Sequence, residues 1–324
     1  MTDSYFFENK NILVTGSSGL LGSWLVEDLV DQKTVVTGVS LDNTKDQLLQ
    51  SKKIIDKIEN YYIDISSYED IKKIVSNKNF DLIFHLAAQT QVTDALKNPL
   101  ATLKSNIQGT WNMLELSRLY DIPIVSASSD KAYGISDDLP YLETHPLKGQ
   151  FPYEVSKSSS DLISSMYKNT FGVNVITLRC GNIYGGGDLN WDRLIPGVVK
   201  ALLNDEKPVL RTKGEFIREW VYVKDVSNAY LGAGKALINN ENNFVAYNFS
   251  SGETKTVMEI YEIISKSITG ELVEPIIKED SEFEIKNQEL DSSRIKDDLG
   301  IMSQYTLKDA IGETIKWYEK HLNL

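Results

Sequence analysis

The amino-acid sequence predicts an α/β protein built on a doubly wound parallel sheet, and two observations support this prediction. Short β-branched apolar segments alternate with helical apolar periods through the first half of the 324-residue chain, which is the pattern of consecutive βαβ units. The first apolar segment, Asn11–Thr15, runs directly into a glycine-rich turn at residues 16–22, and a helical apolar face with Trp24, Leu25 and Leu29 follows. A strand, a tight glycine turn and a helix in this order predict a Rossmann-type first half.

The remaining elements are predicted from the same two periodicities. Further strands are expected at residues 34–39, 61–65, 81–89, 122–125, 174–179 and 247–252. Helices are expected at residues 106–116 and 153–166, from residue 193 onward, and at residues 307–318. Residues 180–188 are rich in glycine and are expected to form a loop that wraps a ligand.

The bulk composition indicates an ordinary globular protein with an acidic surface. Lysine and arginine total 34 against 46 aspartate and glutamate, a formal net charge of -12, which argues against a general nucleic-acid or anionic-membrane surface. Cys180 is the only cysteine, so an intrachain disulfide is excluded and a reducing compartment fits. Residues 1–10 lack the apolar core of a signal peptide, and no apolar run approaches the ~20 residues that span a bilayer. We therefore expect a cytoplasmic protein without nucleic-acid or membrane partners.

The glycine-rich turn has the spacing of a dinucleotide-binding motif, in the strand–turn–helix context that such a motif requires. Gly16 permits the tight turn, Gly19 lets backbone N–H groups approach a pyrophosphate, and Gly22 lets the helix pack close to the strand. These N–H groups lie at a helix N-terminus, where the helix dipole favours anions. The competing interpretation is a glycine-rich βα turn that binds no ligand.

The end of the second predicted strand bears on the choice between NAD and NADP. A carboxylate is expected there to bind the adenosine ribose of NAD, but Ser40 occupies the place and Asp42 follows two residues later. No arginine stands there to hold a 2′-phosphate. The sequence therefore favours NAD without excluding NADP.

A second group of polar residues lies between the 122–125 strand and the helix that follows it. Hydroxyl, carboxylate and amine side chains crowd residues 126–131, where a strand of an open α/β sheet would present them to a ligand. Tyr153 and Lys157 are four residues apart, which places them on one face of a helix. A lysine ammonium near a phenol favours the phenolate, so Tyr153 could act as a base near neutral pH. An ordinary surface Tyr/Lys pair is the alternative.

A basic group stands out in the second half of this acidic chain. Arg211, Lys213 and Arg218 lie close together in the sequence, with Trp220 beside them. We interpret the group as a diphosphate-binding site because planar guanidinium groups suit diphosphates. A solvated, charged strand is the competing interpretation. His85 lies within an apolar strand pattern, and we expect it to be a packed residue.

Eight motifs then fall in one order along the chain. They are Thr15-Gly16-x-x-Gly19-x-x-Gly22, Asp64-Ile65, Leu86-Ala87-Ala88, Asn106, Ser128-Ser129, Tyr153-x-x-x-Lys157, Arg179-x-Gly181-Asn182 and residues 218–223. Together they resemble the extended short-chain dehydrogenase/reductase family, which acts on nucleotide sugars, over nearly the whole chain. The resemblance implies NAD as the cofactor, a nucleotide-sugar substrate and a homodimer that pairs through the helices around Asn106 and Lys157.

The resemblance also implies the site residues. The implied catalytic residues are Ser129, Asp130, Lys131, Tyr153 and Lys157. The implied cofactor-binding residues are Gly16, Ser18, Gly19, Leu20, Gly22, Ser40, Asp64, Ile65, Leu86, Ala87, Ala88, Asn106, Tyr153 and Lys157. The implied substrate-binding residues are Gln89, Asn182, Arg193, Arg211, Arg218 and Arg294, and no metal site is implied.

Within the family, Asp130 and Lys131 after Ser129 resemble the 4,6-dehydratases, whereas the epimerases usually carry small or hydroxyl residues there. Residues 185–188 and 192–196, with a serine ending the second strand, resemble the branch that takes CDP-glucose. Tyr184 and residues 216–220 depart from that branch.

The resemblance also implies a separate role in the reaction for each of three catalytic residues. Tyr153 takes the proton of the sugar's 4-hydroxyl, Lys131 removes the C5 proton, and Asp130 protonates the departing 6-hydroxyl. A lysine beside an acid favours the ionised acid, so the source of the proton on Asp130 is an open point. A 4-epimerase or 4-reductase is the second interpretation, and a non-catalytic NAD(H)-binding scaffold is the third.

No linker is visible in the sequence, so any second domain is interleaved with the first. We expect an NAD(P)-binding domain at residues 1–180 plus about 225–250, and a smaller α/β nucleotide-sugar domain at about 181–224 plus 251–324.

Overall fold

The structure, a computed structural model, describes residues 5–44, 46–278 and 285–323. Within these ranges the strands are β1 Asn11–Thr15, β2 Val35–Ser40, β3 Glu59–Tyr62, β4 Leu82–His85, β5 Ile124–Ser129, β6 Val175–Cys180, β7 Asn182–Tyr184, β8 Val209–Leu210, β9 Ile217–Tyr222, β10 Ala246–Phe249, β11 Thr254–Thr256 and β12 Ile276–Ile277. The α-helices are α1 Leu20–Asp31, α2 Gln47–Ser51, α3 Tyr68–Ser76, α4 Val92–Lys97, α5 Pro99–Leu103, α6 Gly109–Tyr120, α7 Pro152–Phe171, α8 Leu194–Leu203, α9 Val223–Asn239, α10 Val257–Thr269, α11 Ser293–Leu299 and α12 Leu307–Leu322.

The central sheet confirms the predicted doubly wound architecture. Seven of the described strands pair in the order β10-β6-β5-β4-β1-β2-β3, and every neighbouring pair is parallel. Alternate residues of β1 face opposite layers: Ile12 and Val14 pack with α1 and α9, whereas Leu13 packs with α3 and α6. Because both faces are buried, these strands are continuous apolar segments.

The order of the strands reverses between β1 and β4. From β1 the chain extends the sheet through β2 to β3, and then returns to place β4, β5 and β6 on the other side of β1. Ligands of open α/β sheets bind in the crevice at such a switch point, beyond the carboxyl ends of the strands. The glycine turn after β1 and the polar end of β5 both lie at that edge.

A second hydrophobic cluster lies beyond the central sheet. It joins α8, α10 and α12 to β7 and β9, with Ile195, Val199, Ile260 and Ile311 among its buried members. Strands β11, β9 and β7 form a small separate sheet. This cluster gives the later part of the chain its own core, and the division into two domains at the boundaries given above stays a prediction.

Several boundaries differ from those that the sequence predicts, and three of these differences lie near the carboxyl edge of the sheet. The third strand covers Glu59–Tyr62 rather than residues 61–65, because Asp64 turns the chain by accepting a hydrogen bond from the Ser66 backbone N–H at 2.8 Å. Strand β5 continues to Ser129 instead of ending near residue 125. The predicted loop at residues 180–188 contains β7, which pairs with the distant β9.

None of the helices in the described part of the chain combines the length and the apolar character that crossing a membrane requires.

Candidate active site

Helix α7 positions Tyr153 and Lys157 at the carboxyl edge of the sheet. The helix begins at Pro152, and the Glu154 carboxylate accepts backbone N–H groups of the preceding loop at 2.9 and 3.3 Å, which fixes the first turn. Tyr153 is 8% exposed and Lys157 is 5% exposed. The Lys157 ammonium donates a hydrogen bond to the Ala127 carbonyl of β5 at 2.9 Å. The predicted shared face is therefore confirmed, and it is buried against β5.

The end of β5 brings three of the predicted catalytic side chains together. Ser129 is the last strand residue, and a 3₁₀ turn begins at Asp130. The Ser129 hydroxyl donates to Asp130 Oδ1 at 2.8 Å and accepts from the Lys131 backbone N–H at 3.3 Å. Ser129 and Asp130 are also close enough to Tyr153 to affect the pKa of its phenol. The turn thus connects the tyrosine with the acid and the amine.

Asp130 and Lys131 form a pair in this turn. Lys131 Nζ lies 3.3 Å from Asp130 Oδ1 and 3.0 Å from Asn182 Oδ1 of β7. Asp130 is fully buried, and its Oδ2 has no hydrogen-bond partner within the described residues. Asn182 Nδ2 is likewise buried without a partner there. Buried polar atoms of native proteins are normally satisfied, so these two atoms mark a position where a polar ligand group fits.

Electrostatics around Tyr153 differ from the expectation of a phenolate near neutral pH. Burial raises the pKa of Tyr153 to about 12, and the Asp130 charge acts in the same direction. Ser129 and the charge of Arg193 act in the opposite direction. Burial lowers the pKa of Lys157 to about 8. The protein groups alone therefore favour the protonated phenol, and the role of Tyr153 as a base in the enzyme with its cofactor bound stays a prediction.

The glycine turn after β1 is built by close backbone contacts. Gly16 has φ +76°, and a Cβ there would lie 2.8 Å from the Ala87 nitrogen. A Cβ on Gly22 would lie 2.0 Å from the Gly16 carbonyl oxygen, so only glycine fits. Gly19 precedes α1, and a Cβ there would meet only the Gly16 oxygen, at 3.3 Å. Ser18 and Leu20 flank this open position, at the N-terminus of a 12-residue helix. This arrangement fits a pyrophosphate.

Ser40 ends β2 and is bonded to the glycine turn. Its hydroxyl accepts a hydrogen bond from the Ser18 backbone N–H at 3.3 Å and lies 3.1 Å from the Ser17 hydroxyl. Asp42 Oδ1 accepts from the Thr44 backbone N–H at 2.9 Å. Ser40 therefore supports the shape of the turn, and its contact with a cofactor ribose stays a prediction.

Further predicted cofactor residues line the same edge from β3 and β4. Ile65 is 5% exposed and packs beside α6, whereas Asp64 is exposed. The Leu86 backbone N–H donates to the Thr15 carbonyl at 3.0 Å, which holds residues 86–88 along β1. Ala88 continues this stretch.

Asn106 connects two segments of the protein by side-chain hydrogen bonds. It lies on a π-helix, Lys104–Gln108, that precedes α6. Its side chain exchanges hydrogen bonds with the Gln89 backbone at 2.8 and 2.9 Å and donates to the Ser156 hydroxyl of α7 at 2.9 Å. Asn106 therefore holds the loop after β4 against the tyrosine helix. Ser156 was missed by the sequence analysis because its only signal is a hydroxyl on the inner face of α7.

His85 is a packed residue, as predicted. It is 2% exposed, and its two ring nitrogens lie 2.8 and 3.1 Å from the Thr15 and Thr110 hydroxyls. Burial and then the Lys157 charge lower the pKa of His85 to about 3, so the imidazole is neutral in the working range of most enzymes.

The predicted substrate residues divide into two groups. Arg193 Nη1 lies 3.0 Å from Asp188 Oδ2, and its charge acts on Tyr153, so Arg193 faces the site. Arg294 does not join it: its side chain pairs with Glu143 at 3.4 Å and stacks on Phe244, which precedes β10. Arg294 thus lies near the amino-terminal end of β10, away from the carboxyl edge of the sheet.

The basic group around β9 is more buried than the sequence suggests. Arg218 is 8% exposed, and its Nη1 donates to the Ile217 and Lys286 carbonyls at 3.0 and 2.9 Å. Trp220 is 7% exposed and packs in the second hydrophobic cluster. Arg211 Nη2 donates to the Asp192 carbonyl at 3.2 Å.

Comparison with known proteins identifies the chain at the level of its family. The model of the NAD-dependent epimerase/dehydratase family matches residues 12–248. The chain belongs to this family. Membership confirms the sequence-based assignment and the prediction of NAD as the cofactor.

Relatives with two different reactions resemble the chain over nearly its whole length. The CDP-glucose 4,6-dehydratase of Salmonella typhimurium is 29% identical, with 98% of this chain and 93% of that protein covered. The structure of UDP-glucose 4-epimerase from Thermotoga maritima with UDP-glucose superposes with a TM-score of 0.87 at 27% identity, covering 96% of this chain and 99% of that chain. A dTDP-glucose 4,6-dehydratase structure from Streptomyces venezuelae with NAD bound gives 0.85 at 25% identity, covering 97% and 98%. Both dehydratases and epimerases thus share this fold and family.

Proposed function

We propose that this member of the family is a nucleotide-sugar 4,6-dehydratase that converts an NDP-hexose, with a CDP-glucose-like substrate favoured, into its 4-keto-6-deoxy form. The observation that carries the proposal is the pair of Asp130 and Lys131, held next to Ser129 and close enough to Tyr153 for the Asp130 charge to act on its phenol. A 4,6-elimination needs a base for one proton and an acid for the leaving hydroxyl. A 4-epimerase needs neither.

The first half of the reaction uses the tyrosine helix. Tyr153, as the phenolate that the positive charge of bound NAD⁺ would favour, receives the proton of the sugar 4-hydroxyl, and Ser129 holds the same oxygen by a hydrogen bond. Bound NAD would supply the hydride acceptor for C4 and the hydride donor for C6. The glycine turn would hold its pyrophosphate, and we assign Lys157 to its nicotinamide ribose. NAD is favoured over NADP because Ser40, Leu41 and Asp42 at the end of β2 offer no cation for a 2′-phosphate.

The second half of the reaction uses the turn after β5. The 4-keto group acidifies the C5–H bond, and Lys131 as the amine takes that proton. Asp130 gives a proton to the 6-hydroxyl, the C6–O bond breaks, and water leaves. Once C6 has received the hydride, Lys131 returns its proton to C5, which gives the 4-keto-6-deoxy sugar. The short distances among Asp130, Lys131 and Asn182 support these assignments. We assign Arg193 to the diphosphate, because its charge acts on Tyr153 and a guanidinium suits phosphate oxygens.

A sugar-nucleotide 4-epimerase is the second candidate. The similarity to the Thermotoga maritima UDP-glucose 4-epimerase favours it, and the tyrosine helix would serve its oxidation step equally well. In that case Asp130 and Lys131 have no proton to transfer during turnover.

The mass of the product distinguishes the two reactions. The purified protein is incubated with CDP-glucose and, separately, with UDP-, GDP- and dTDP-hexoses, without added reductant. We expect one of these nucleotide sugars to lose one water and to give the alkaline chromophore of a 4-keto sugar. A sugar that keeps its mass and changes its C4 configuration would make the protein an epimerase.

We also propose that the protein is a homodimer. Apolar side chains of α6 and α7 are exposed, with Trp111 at 43%, Leu162 at 58% and Met166 at 43%. These two helices pack against each other, so a second copy could cover both and form a four-helix interface. Analytical ultracentrifugation tests this, and a single species of about 36.5 kDa would contradict it.

A further inference from the structure

A buried carboxyl group that the proposed reaction does not use lies next to its acid. Glu219 is in the middle of β9 and is 2% exposed. Its Oε1 accepts a hydrogen bond from the Leu290 backbone N–H at 3.2 Å. Its Oε2 is buried and has no hydrogen-bond partner among the residues that the structure describes. An ionised carboxylate is costly to bury in this state.

Close packing connects Glu219 with Gly181, the residue just before β7. A Cβ on Gly181 would lie 2.6 Å from Glu219 Cβ, so the glycine makes room for this side chain. Oδ1 of the next residue, Asn182, accepts a hydrogen bond from the Lys131 ammonium at 3.0 Å. Glu219 is also close enough to Asp130 for the two charges to interact. A line of contacts therefore runs from Glu219 through β7 to the reacting groups.

Two charged groups among the described residues act on Glu219, and both are negative. Asp130 acts on it from the turn after β5, and Glu289 acts on it from the segment that follows residue 284. Thr254 of β11 pairs with Glu219, Gly181 lies against it just before β7, and neither carries a charge. Burial first, and then these two carboxylates, raise the pKa of Glu219 to about 7.

We propose that Glu219 is a positioning residue that stays uncharged in the active enzyme, so that it adds no negative charge next to Asp130 and Lys131. The proposal rests on the proposed function in one respect, the roles of Asp130 as acid and Lys131 as base. A second ionised carboxylate close to Asp130 and Lys131 would stabilise the ammonium form of Lys131. An ammonium group has no lone pair with which to take the C5 proton, so ionisation of Glu219 slows the loss of water.

The pH dependence of water loss tests this idea. Between pH values of about 6 and about 8, the uncharged fraction of a carboxyl group with a pKa of about 7 falls about tenfold. In single-turnover measurements, the rate of water loss is determined for the wild type and for Glu219→Gln, whose amide cannot ionise. The ratio of the wild-type rate to the Glu219→Gln rate should fall by a similar factor over this pH range. Glu289→Gln, which removes a carboxylate that raises the pKa of Glu219, should move this fall to lower pH. A ratio of wild type to Glu219→Gln that does not change with pH would overturn the proposal.

A second measurement needs neither a variant nor a reaction. With glutamate labelled by ¹³C at Cδ, one carboxyl signal of the wild type should titrate around pH 7, well above the ordinary range of glutamate. If every glutamate signal has finished titrating below a pH of about 6, Glu219 is charged at neutral pH and the proposal is wrong. This titration tests the charge of Glu219 separately from the dehydratase reaction. A protein that removes no water from any NDP-hexose would refute the dehydratase, and the titration would still measure the charge of Glu219.

Discussion

The glycine turn after β1 and the turn after β5 lie at the same edge of the sheet but are constructed differently. The glycine turn is a backbone structure: the Gly16 N–H donates to the Val39 carbonyl at 2.7 Å, and the Ser40 hydroxyl is bonded within the turn. The turn after β5 is a side-chain structure, in which Asp130 and Asn182 each keep a buried polar atom without a partner among the described residues. The glycine turn offers a ligand a backbone surface of defined shape, whereas the turn after β5 offers reactive side chains.

This difference explains why the family is clear and the reaction is harder to assign. A backbone structure depends on glycines at fixed spacing, so it is common to proteins with different reactions. A side-chain structure depends on a few residues that several distant strands bring together. The dehydratase and epimerase relatives accordingly share the fold, and the difference between them is expected in the side chains.

The largest expected effect is at the glycine turn. Gly22→Ala places a methyl group 2.0 Å from the Gly16 carbonyl oxygen, and neither backbone segment can yield without breaking the turn. We expect the free energy of unfolding to fall by about 3 kcal/mol or more, measured by denaturant titration, together with a loss of NAD binding.

Gly312→Ala is the matched control, because a Cβ there meets nothing within 4 Å. Gly312 lies inside α12, where alanine is favoured by up to about 1 kcal/mol. Equal destabilisation by the two substitutions would contradict the view that the turn is defined by close backbone contact.

Local sequence predicted the backbone part of the molecule well. Strand β1 was predicted residue for residue, and the helix that carries Tyr153 and Lys157 was correctly placed, because both depend on short-range periodicity. Strand β7 was missed, since three residues become a strand only by pairing with β9, which begins more than thirty residues later in the chain. Pairing between distant segments leaves no local pattern.

The candidate site was predicted unevenly for the same reason. Asp130 and Lys131 follow a strand directly, so their position could be read from the sequence. Arg294 was carried over by resemblance alone, and Glu143 and Phe244 hold it away from the carboxyl edge. Glu219 was overlooked because an acid beside Arg218 suggests a solvated charge pair, and burial by Gly181 from another strand is not visible in the sequence.

The second effect separates the two steps of the proposed reaction. Asp130→Asn and Lys131→Met should slow the loss of water by about 100-fold or more, because each removes a proton-transfer group. Oxidation at C4 should continue, so the absorbance of reduced cofactor should accumulate after substrate is added. Tyr153→Phe should instead block both steps and give no such absorbance.

Asp138→Asn is the control for the carboxylate substitution, since the Asp138 side chain is 85% exposed. It should leave both steps unchanged. Full turnover by Asp130→Asn would remove the main support for a dehydratase and would favour the epimerase.

The smallest effect is expected where a side chain assists the backbone structure. Ser40→Ala removes the hydroxyl that accepts from the Ser18 N–H at 3.3 Å and contacts the Ser17 hydroxyl at 3.1 Å. One such hydrogen bond contributes about 1 kcal/mol, so the Kd for NAD should rise roughly fivefold, as measured by calorimetry. Ser51→Ala on α2, which removes a hydroxyl bonded only to its own helix, should leave the Kd unchanged. A loss of NAD binding as complete as that of Gly22→Ala would mean that Ser40 contacts the cofactor directly, and the glycine turn would then recognise its ligand by side chains as the turn after β5 does.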